Sequence, residues 1–205
     1  FTSTRVSMLT GKTDQNAAPS SFHEIMPSAD GKKNVGKVIS DNYEVVEGSW
    51  PKNKNEVVLV LDENNSLSLT AVYELGLKSA SEYHDMMNQL NSGDDVKTDT
   101  KKIDYSDVID RTLKLLPACD QYVRGDNGHW TYVGDDVDQI NALIDSDKAI
   151  DLKIVGVVKP VEDADATPLS SGVGYTRALT NELIDRAESS EIVTEQRSDK
   201  DHNVL

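Results

Sequence analysis

Cysteine, aromatic residues and long apolar runs are all scarce in this sequence of 205 residues. The single cysteine, Cys119, excludes an internal disulfide and any metal cluster held by cysteines. Aromatic residues make up 5% of the chain, so we expect a modest core built mostly from aliphatic side chains. No run approaches the about 18 apolar residues of a membrane span, and the first residues lack the apolar segment of a signal peptide. These two patterns suit a fragment cut between two membrane spans and a cytoplasmic protein equally well.

Positive charge is also in short supply. The chain has 21 Lys and Arg residues against 36 Asp and Glu residues, which gives a formal net charge of −15. Such an excess of acid keeps a domain in solution and repels phosphate groups. We therefore expect no nucleic-acid partner, and anionic lipid headgroups are disfavoured for the same reason.

Apolar runs and turn residues predict several strands. The continuous apolar run that follows Glu56 in residues 56–61 is typical of a buried strand, and residues 152–158 predict a second strong strand. An Asn-Gly pair between two short extended segments predicts a β-hairpin over residues 122–133. Residues 113–115 alternate as a strand does, and Gly172 and Gly174 suggest a tight turn after the second buried strand.

Apolar spacings of three and four residues predict the helices. Such spacings occur over residues 79–90 and 136–144, and in an amphipathic stretch from Tyr175 to about Gln196. Glu182 and Arg186 have the i, i+4 spacing of an exposed ion pair on that last helix. Strands thus alternate irregularly with helices, which predicts an α+β or mixed α/β fold.

The N-terminal part of the chain is poorly patterned. Residues 1–42 are expected to be largely loop, with a short helix near residues 22–26. The clearer strand and helix patterns begin at residue 43 and continue to residue 205. We therefore divide the chain into an N-terminal segment, residues 1–42, and a domain, residues 43–205.

Two long segments carry a family resemblance. Residues 43–62 have the sequence YEVVEGSWPKNKNEVVLVLD, and residues 151–196 contain DLKIVGVVKP followed by ATPLSSGVGY. Two shorter segments, YELGL at residues 73–77 and the hairpin region at residues 122–136, occur between them. In this order the segments resemble the extracellular domain of Gram-positive ABC-transporter permeases of the MacB-like or FtsX-like family.

The resemblance implies both a fold and a role. It implies a mixed α/β porter-like part and a more β-rich part with an inserted hairpin, with residues 43–205 as a fragment of a larger extracellular region. The fragment is expected to be soluble by itself and to lie, in the whole protein, on the extracellular face of the cell membrane. It would be non-catalytic and bind no cofactor. ATP-driven motion would reach it from a cytoplasmic ATPase subunit through the permease's own transmembrane helices.

The same resemblance implies the partners. The outer domain would change its contacts with an adaptor protein, a peptide substrate or a permease dimer mate during export or efflux. Physically this role requires a stiff domain rather than a reactive pocket.

Residue patterns for catalysis or metal binding are weak. The four histidines are not spaced as metal ligands, and Gly172 and Gly174 lack the Lys-Ser/Thr of a phosphate-binding loop. Asp135, Asp136 and Asp138 lack the spacing of a calcium-binding loop and suit the start of a helix instead. We therefore expect no catalytic residue, no cofactor and no bound metal.

The hairpin supplies the candidate contact residues. Arg124, Gly125 and Asp126 form an integrin-type tripeptide at its tip, and His129 and Trp130 follow. We take Arg124, Asp126, His129 and Trp130 as a candidate partner contact. They also leave open an alternative function, a stand-alone extracellular binding or adhesion module. A third alternative is an acidic metal-dependent hydrolase that uses Asp136 and Asp138.

Overall fold

The computed structural model describes residues 21–67, 71–72, 75 and 105–205. Helices and strands are combined in an α+β fold, which confirms the predicted class. No helix in these residues is long and apolar enough to cross a membrane. In chain order the elements are β1 (Phe22–Glu24), α1 (Lys37–Ser40), β2 (Tyr43–Gly48), β3 (Glu56–Val60), a 3-10 turn (Tyr105–Asp107), β4 (Thr112–Leu115), a second 3-10 turn (Ala118–Gln121), β5 (Tyr122–Arg124), β6 (Trp130–Tyr132), α2 (Val137–Ile144), β7 (Ile150–Pro160), β8 (Gly172–Tyr175), α3 (Arg177–Ser189) and α4 (Glu191–Ser198).

A six-stranded mixed sheet is organised around β7. On one side β7 pairs in parallel with β3. On its other side the first half of β7 pairs with β4 and the second half with β2, both antiparallel. From β3 the sheet continues through antiparallel β8 to β1, which is parallel to β8.

The strand β7 contains one extra residue opposite β3. Val57 pairs with Ile154 but Val58 pairs with Gly156, so Val155 has no partner in β3. An inserted residue of this kind reverses the alternation of side chains between the two faces of a sheet. As a result Ile154 and Val157, three residues apart, both contribute to the same core.

Two hydrophobic cores lie on opposite faces of the sheet. Val57 and Leu59 of β3 belong to one core, and Val58 and Val60 belong to the other. A strand that is buried on both faces needs a continuous apolar run instead of an alternating one. Both strands predicted from residues 56–61 and 152–158 are confirmed as β3 and β7. β3 is buried on both faces, whereas Asp151 and Lys153 in the first half of β7 are exposed. Helix α3 covers the first core through Leu179, and α1 covers the second through Ile39.

The prediction of a tight turn at Gly172 and Gly174 is wrong, because Gly172–Tyr175 is the strand β8. The strand lies between β1 and β3, and main-chain atoms of neighbouring strands approach it closely. A Cβ atom at Gly172 would lie 2.1 Å from the carbonyl oxygen of Ser21. The glycine therefore permits a close strand contact.

The short helix expected near residues 22–26 is also wrong, since Phe22–Glu24 forms β1. Three residues are too few to show a strand period, and the pairing with β8 determines their conformation. Ile25, just after the strand, is fully buried in the core that also contains Ile39. Residues 22–42 thus share the sheet and core of the residues that follow them.

The amphipathic stretch from Tyr175 consists of two helices, α3 and α4, which are separated by Ser190. Ser190 has an extended backbone, with φ −65° and ψ 148°, and its hydroxyl accepts a hydrogen bond from the Val193 amide at 3.4 Å. Serine favours this position because its side chain satisfies an exposed donor at the start of α4.

The predicted ion pair between Glu182 and Arg186 is wrong as well. Glu182 contacts Lys54 at 2.7 Å, and Arg186 contacts Asp120 at 2.7 Å. Each partner is distant in sequence, so helical spacing alone could not identify it.

Other predictions from local pattern agree with the structure. The hairpin, the strand over residues 113–115 and the helix after Asp136 are confirmed as β5–β6, β4 and α2. The helix predicted over residues 79–90 lies outside the described residues.

We predict that Leu59→Ala lowers the free energy of unfolding by about 2 to 5 kcal/mol, because it leaves a cavity beside β7. Leu59 is 1% exposed, whereas Ile184 on α3 is 52% exposed. The matched control Ile184→Ala should change stability by about 0.5 kcal/mol or less. Urea unfolding monitored by circular dichroism measures both. Equal losses in the two variants would contradict the described core.

Candidate functional site

The hairpin β5–β6 has an ordered five-residue tip over residues 125–129. The Gly125 amide donates to the His129 carbonyl oxygen, and the Gly128 amide donates to the Gly125 carbonyl oxygen, both at 2.9 Å. The Asn127 side chain accepts from the His129 amide at 3.1 Å. Gly128 has a φ of +84°, a conformation that glycine adopts at little cost. The tip is therefore held in shape by its own hydrogen bonds.

The Glu195 carboxylate accepts hydrogen bonds from both Arg124 and Trp130. The Trp130 indole Nε1–H donates to Glu195 Oε2 at 2.8 Å, and the Arg124 guanidinium lies 3.0 Å from Glu195 Oε1. Arg124 also donates from Nε to the Gly128 carbonyl oxygen at 3.2 Å. Trp130 is 9% exposed. Glu195 on α4 thus fixes the hairpin against the helix with two hydrogen bonds, one of them charge-assisted at both ends.

The C-terminal residues form a further contact with the hairpin. The Trp130 main-chain amide donates to the Val204 carbonyl oxygen at 2.9 Å. The Gln196 side chain holds the same segment: Nε2 donates to the carbonyl oxygens of Asp199 at 2.8 Å and His202 at 2.9 Å. Its Oε1 accepts from the Val204 amide at 3.2 Å.

A half-buried ion pair anchors the base of the hairpin region to α3. Arg186 Nε lies 2.7 Å from Asp120 Oδ2, with side-chain exposures of 28% and 17%. The Arg186 guanidinium also donates to the Lys148 carbonyl oxygen at 2.7 Å. Just after the hairpin, the Val133 amide donates to the Gln121 carbonyl oxygen at 2.9 Å. The base is therefore attached independently of Glu195.

The four candidate contact residues have separate surroundings. Arg124 and Trp130 converge on Glu195, whereas Asp126 and His129 remain exposed at the tip. Sequence analysis missed Glu195, since it is separated from Arg124 by 71 positions and no local pattern connects them.

The acidic residues considered as metal ligands of a hydrolase, Asp136 and Asp138, lie at the N-terminus of α2. Asp136 accepts hydrogen bonds from the amides of Asp138 at 3.1 Å and Gln139 at 3.0 Å. These bonds, with one from the Gln139 side chain, lower the pKa of the Asp136 carboxyl. Asp136 is thus the N-cap of the helix. Among the described residues no group of three or more His, Cys, Asp or Glu side chains is arranged to hold a metal ion.

A shallow cleft opens where the parallel strands β3 and β7 end. Asp62 lies at its edge, and both oxygens of this carboxylate are occupied within its own turn. Oδ1 accepts from the amides of Asn64 at 2.9 Å and Ser66 at 2.8 Å, and Oδ2 accepts from the Ser66 hydroxyl at 2.6 Å. The lining residues are Leu61, Asp62, Glu63, Asn64, Pro160, Thr167, Leu169, Ser170 and Ser171.

Comparison with known proteins gives no relative: the chain matches no protein-family model, no curated protein and no solved structure.

We predict that Asp120→Asn shifts the alkylation of Cys119 to lower pH. Burial raises the pKa of the Cys119 thiol, and the neighbouring Asp120 carboxylate raises it further. Removing that charge lowers the thiol pKa, so more thiolate is present at a given pH. The midpoint of the pH profile for iodoacetamide reports this change separately from accessibility, which alters the plateau rate. Asp126→Asn, at the exposed tip, is the control and should leave the midpoint unchanged. An unshifted midpoint in Asp120→Asn would exclude the electrostatic contact.

Proposed function

We propose that this chain is a non-catalytic part of the extracellular domain of an ABC-transporter permease of the MacB-like or FtsX-like group. In this role it passes ATP-driven motion of transmembrane helices to contacts with an adaptor protein, a peptide substrate or a second permease. The role needs a stiff body and an exposed contact surface, and it needs no reactive pocket.

The observation that carries the proposal is that the two segments that resemble the family form neighbouring strands of one sheet. Residues 43–62 supply β2 and β3, and residues 151–196 supply β7 apart from its first residue, β8, α3 and most of α4. Although they are far apart in sequence, β7 lies between β2 and β3 in the sheet. A resemblance divided between two distant segments therefore falls on one continuous structural unit.

Polar contacts join the same two segments outside the sheet. Lys54 Nζ lies 2.7 Å from Glu182 Oε2, and the Thr176 hydroxyl donates to the Asn53 carbonyl oxygen at 3.3 Å. Thr176 is fully buried at the start of α3. The loop between β2 and β3 is thus fixed to the helix that covers the sheet, as a unit that transmits displacement without bending requires.

The hairpin tip is the contact surface in this proposal. Its exposed Asp126 and His129 project from a base that the Asp120–Arg186 pair attaches to α3. A partner that binds the tip would therefore be connected to the sheet through one helix. Polar and charged groups at such a rim determine specificity and association rate more than affinity.

The alternative of an adhesion module depends on the Arg124–Asp126 tripeptide. Arg124 already contacts Glu195 and the Gly128 carbonyl oxygen. A carboxylate on an adhesion partner would compete with Glu195 for this guanidinium. This competition counts against the adhesion module.

The location can be tested by thiol labelling in intact cells. In the full-length protein, Cys119 is replaced by serine and Asp126→Cys supplies one exposed thiol at the hairpin tip. We expect a membrane-impermeant maleimide to label this variant in intact cells. A cysteine on the cytoplasmic ATPase subunit is the control and should react only after lysis. Labelling of the tip only after lysis would refute an extracellular location.

The reading frame that encodes the full-length protein tests the architecture. We expect an apolar span of about 20 residues before this domain and about three such spans after it. A signal peptide without later spans would contradict the permease proposal and support a secreted binding module.

A further inference from the structure

Trp130 is bonded through two different N–H groups to two different parts of the chain. Its indole Nε1–H donates to Glu195 on α4, at 2.8 Å. Its main-chain amide donates to the Val204 carbonyl oxygen, at 2.9 Å. One residue of the hairpin therefore contacts both the last helix and the segment that follows it.

We name residues 199–204 the strap. Gln196 attaches the strap to α4 through three hydrogen bonds, to the carbonyl oxygens of Asp199 and His202 and from the Val204 amide. Glu195, its neighbour on the same helix, attaches the hairpin. Glu195 and Gln196, which are adjacent on α4, thus hold the hairpin and the strap. Trp130 also joins the hairpin to the strap directly.

The strap is attached by polar contacts rather than by buried apolar side chains. Its residues are exposed apart from Asp199 and Val204, which are partly exposed. Segments with few buried contacts open locally at a small fraction of the cost of unfolding the whole domain. The strap can therefore detach while the sheet stays intact.

The base of the hairpin stays attached when the strap detaches. The Asp120–Arg186 ion pair and the bond from the Val133 amide to the Gln121 carbonyl oxygen do not involve α4 or the strap. Loss of the Trp130 contacts would therefore change the tilt of residues 125–129 without releasing the hairpin.

We propose that Trp130 couples the strap to the hairpin, so that displacement of residues 199–204 changes the orientation of the hairpin tip. The two arrangements are a docked state, in which Trp130 holds both Glu195 and Val204, and a released state, in which the strap and the tip move apart. This switch is a property of the chain itself and does not depend on the transport role proposed above.

Coupling of this kind is reciprocal, which makes it testable from both ends. Releasing the strap should weaken the bond between the indole and Glu195, although that bond involves no strap atom. Releasing the hairpin should weaken the bond from the Val204 amide to Gln196, although that bond involves no hairpin atom.

Hydrogen exchange of the 205-residue chain, measured by NMR, tests both directions. In Gln196→Ala we expect the Trp130 indole N–H to exchange about fivefold faster or more, a typical lower size for coupling between sites. In Glu195→Ala we expect the same increase at the Val204 amide. Thr194→Ala, an exposed change on the same helix, is the control and should alter neither signal.

The proposal is overturned if the strap and the hairpin respond to these substitutions independently of each other. If Gln196→Ala changes only the strap and Glu195→Ala changes only the hairpin, Trp130 does not couple them. The core amides of Leu59 and Val157 report whether each variant remains folded. If either alanine variant loosens the core, Gln196→Glu and Glu195→Gln provide the same test. Gln196→Glu keeps an oxygen that can accept from the Val204 amide and removes the donor to the Asp199 and His202 carbonyl oxygens. Glu195→Gln keeps one acceptor oxygen and removes the charge that pairs with Arg124.

Discussion

The rest of the structure depends on the central position of β7, which pairs with other strands along both edges and contributes side chains to the cores on both faces of the sheet. Its eleven residues pair with β3 on one side and with β4 and β2 on the other, so four strands meet at one segment. The extra residue Val155 allows Ile154 and Val157 to face the same core. Without it, one of these side chains would point into the opposite core, and the packing of α3 on the sheet would be lost.

Helix α3 connects the six-stranded sheet to the base of the hairpin region. Its Leu179 is fully buried against the sheet, whereas Glu182 and Arg186 contact Lys54 and Asp120. Apolar burial fixes the helix on the sheet, and charged side chains then determine what lies beside it. In a domain that transmits displacement, this arrangement separates the stiff part from the parts that change position.

Local pattern predicted the elements whose own residues determine their conformation. The long apolar runs of β3 and β7, the Asn-Gly turn of the hairpin and the cap residue Asp136 each act over a few positions. By contrast β1 and β8 are three and four residues long. They are strands because β8 pairs with β1 on one side and with β3 on the other. The attachment of the hairpin to Glu195 was not predictable either, because it joins side chains that only the folded chain brings together.

The kind of attachment at the hairpin also bears on how the tip could move. A hairpin held by apolar burial could separate from α4 only at the free-energy cost of exposing apolar surface to water. Arg124 is held through a hydrogen bond to a partly exposed carboxylate, and water can replace this bond when it opens. Opening at Trp130 would also expose an indole that is 9% exposed in the folded chain. The ion pair at the base is more buried than the one at Glu195, with exposures of 28% and 17% against 54% and 31%. Since screening by water weakens the more exposed pair, the Arg124–Glu195 pair should open before the Asp120–Arg186 pair.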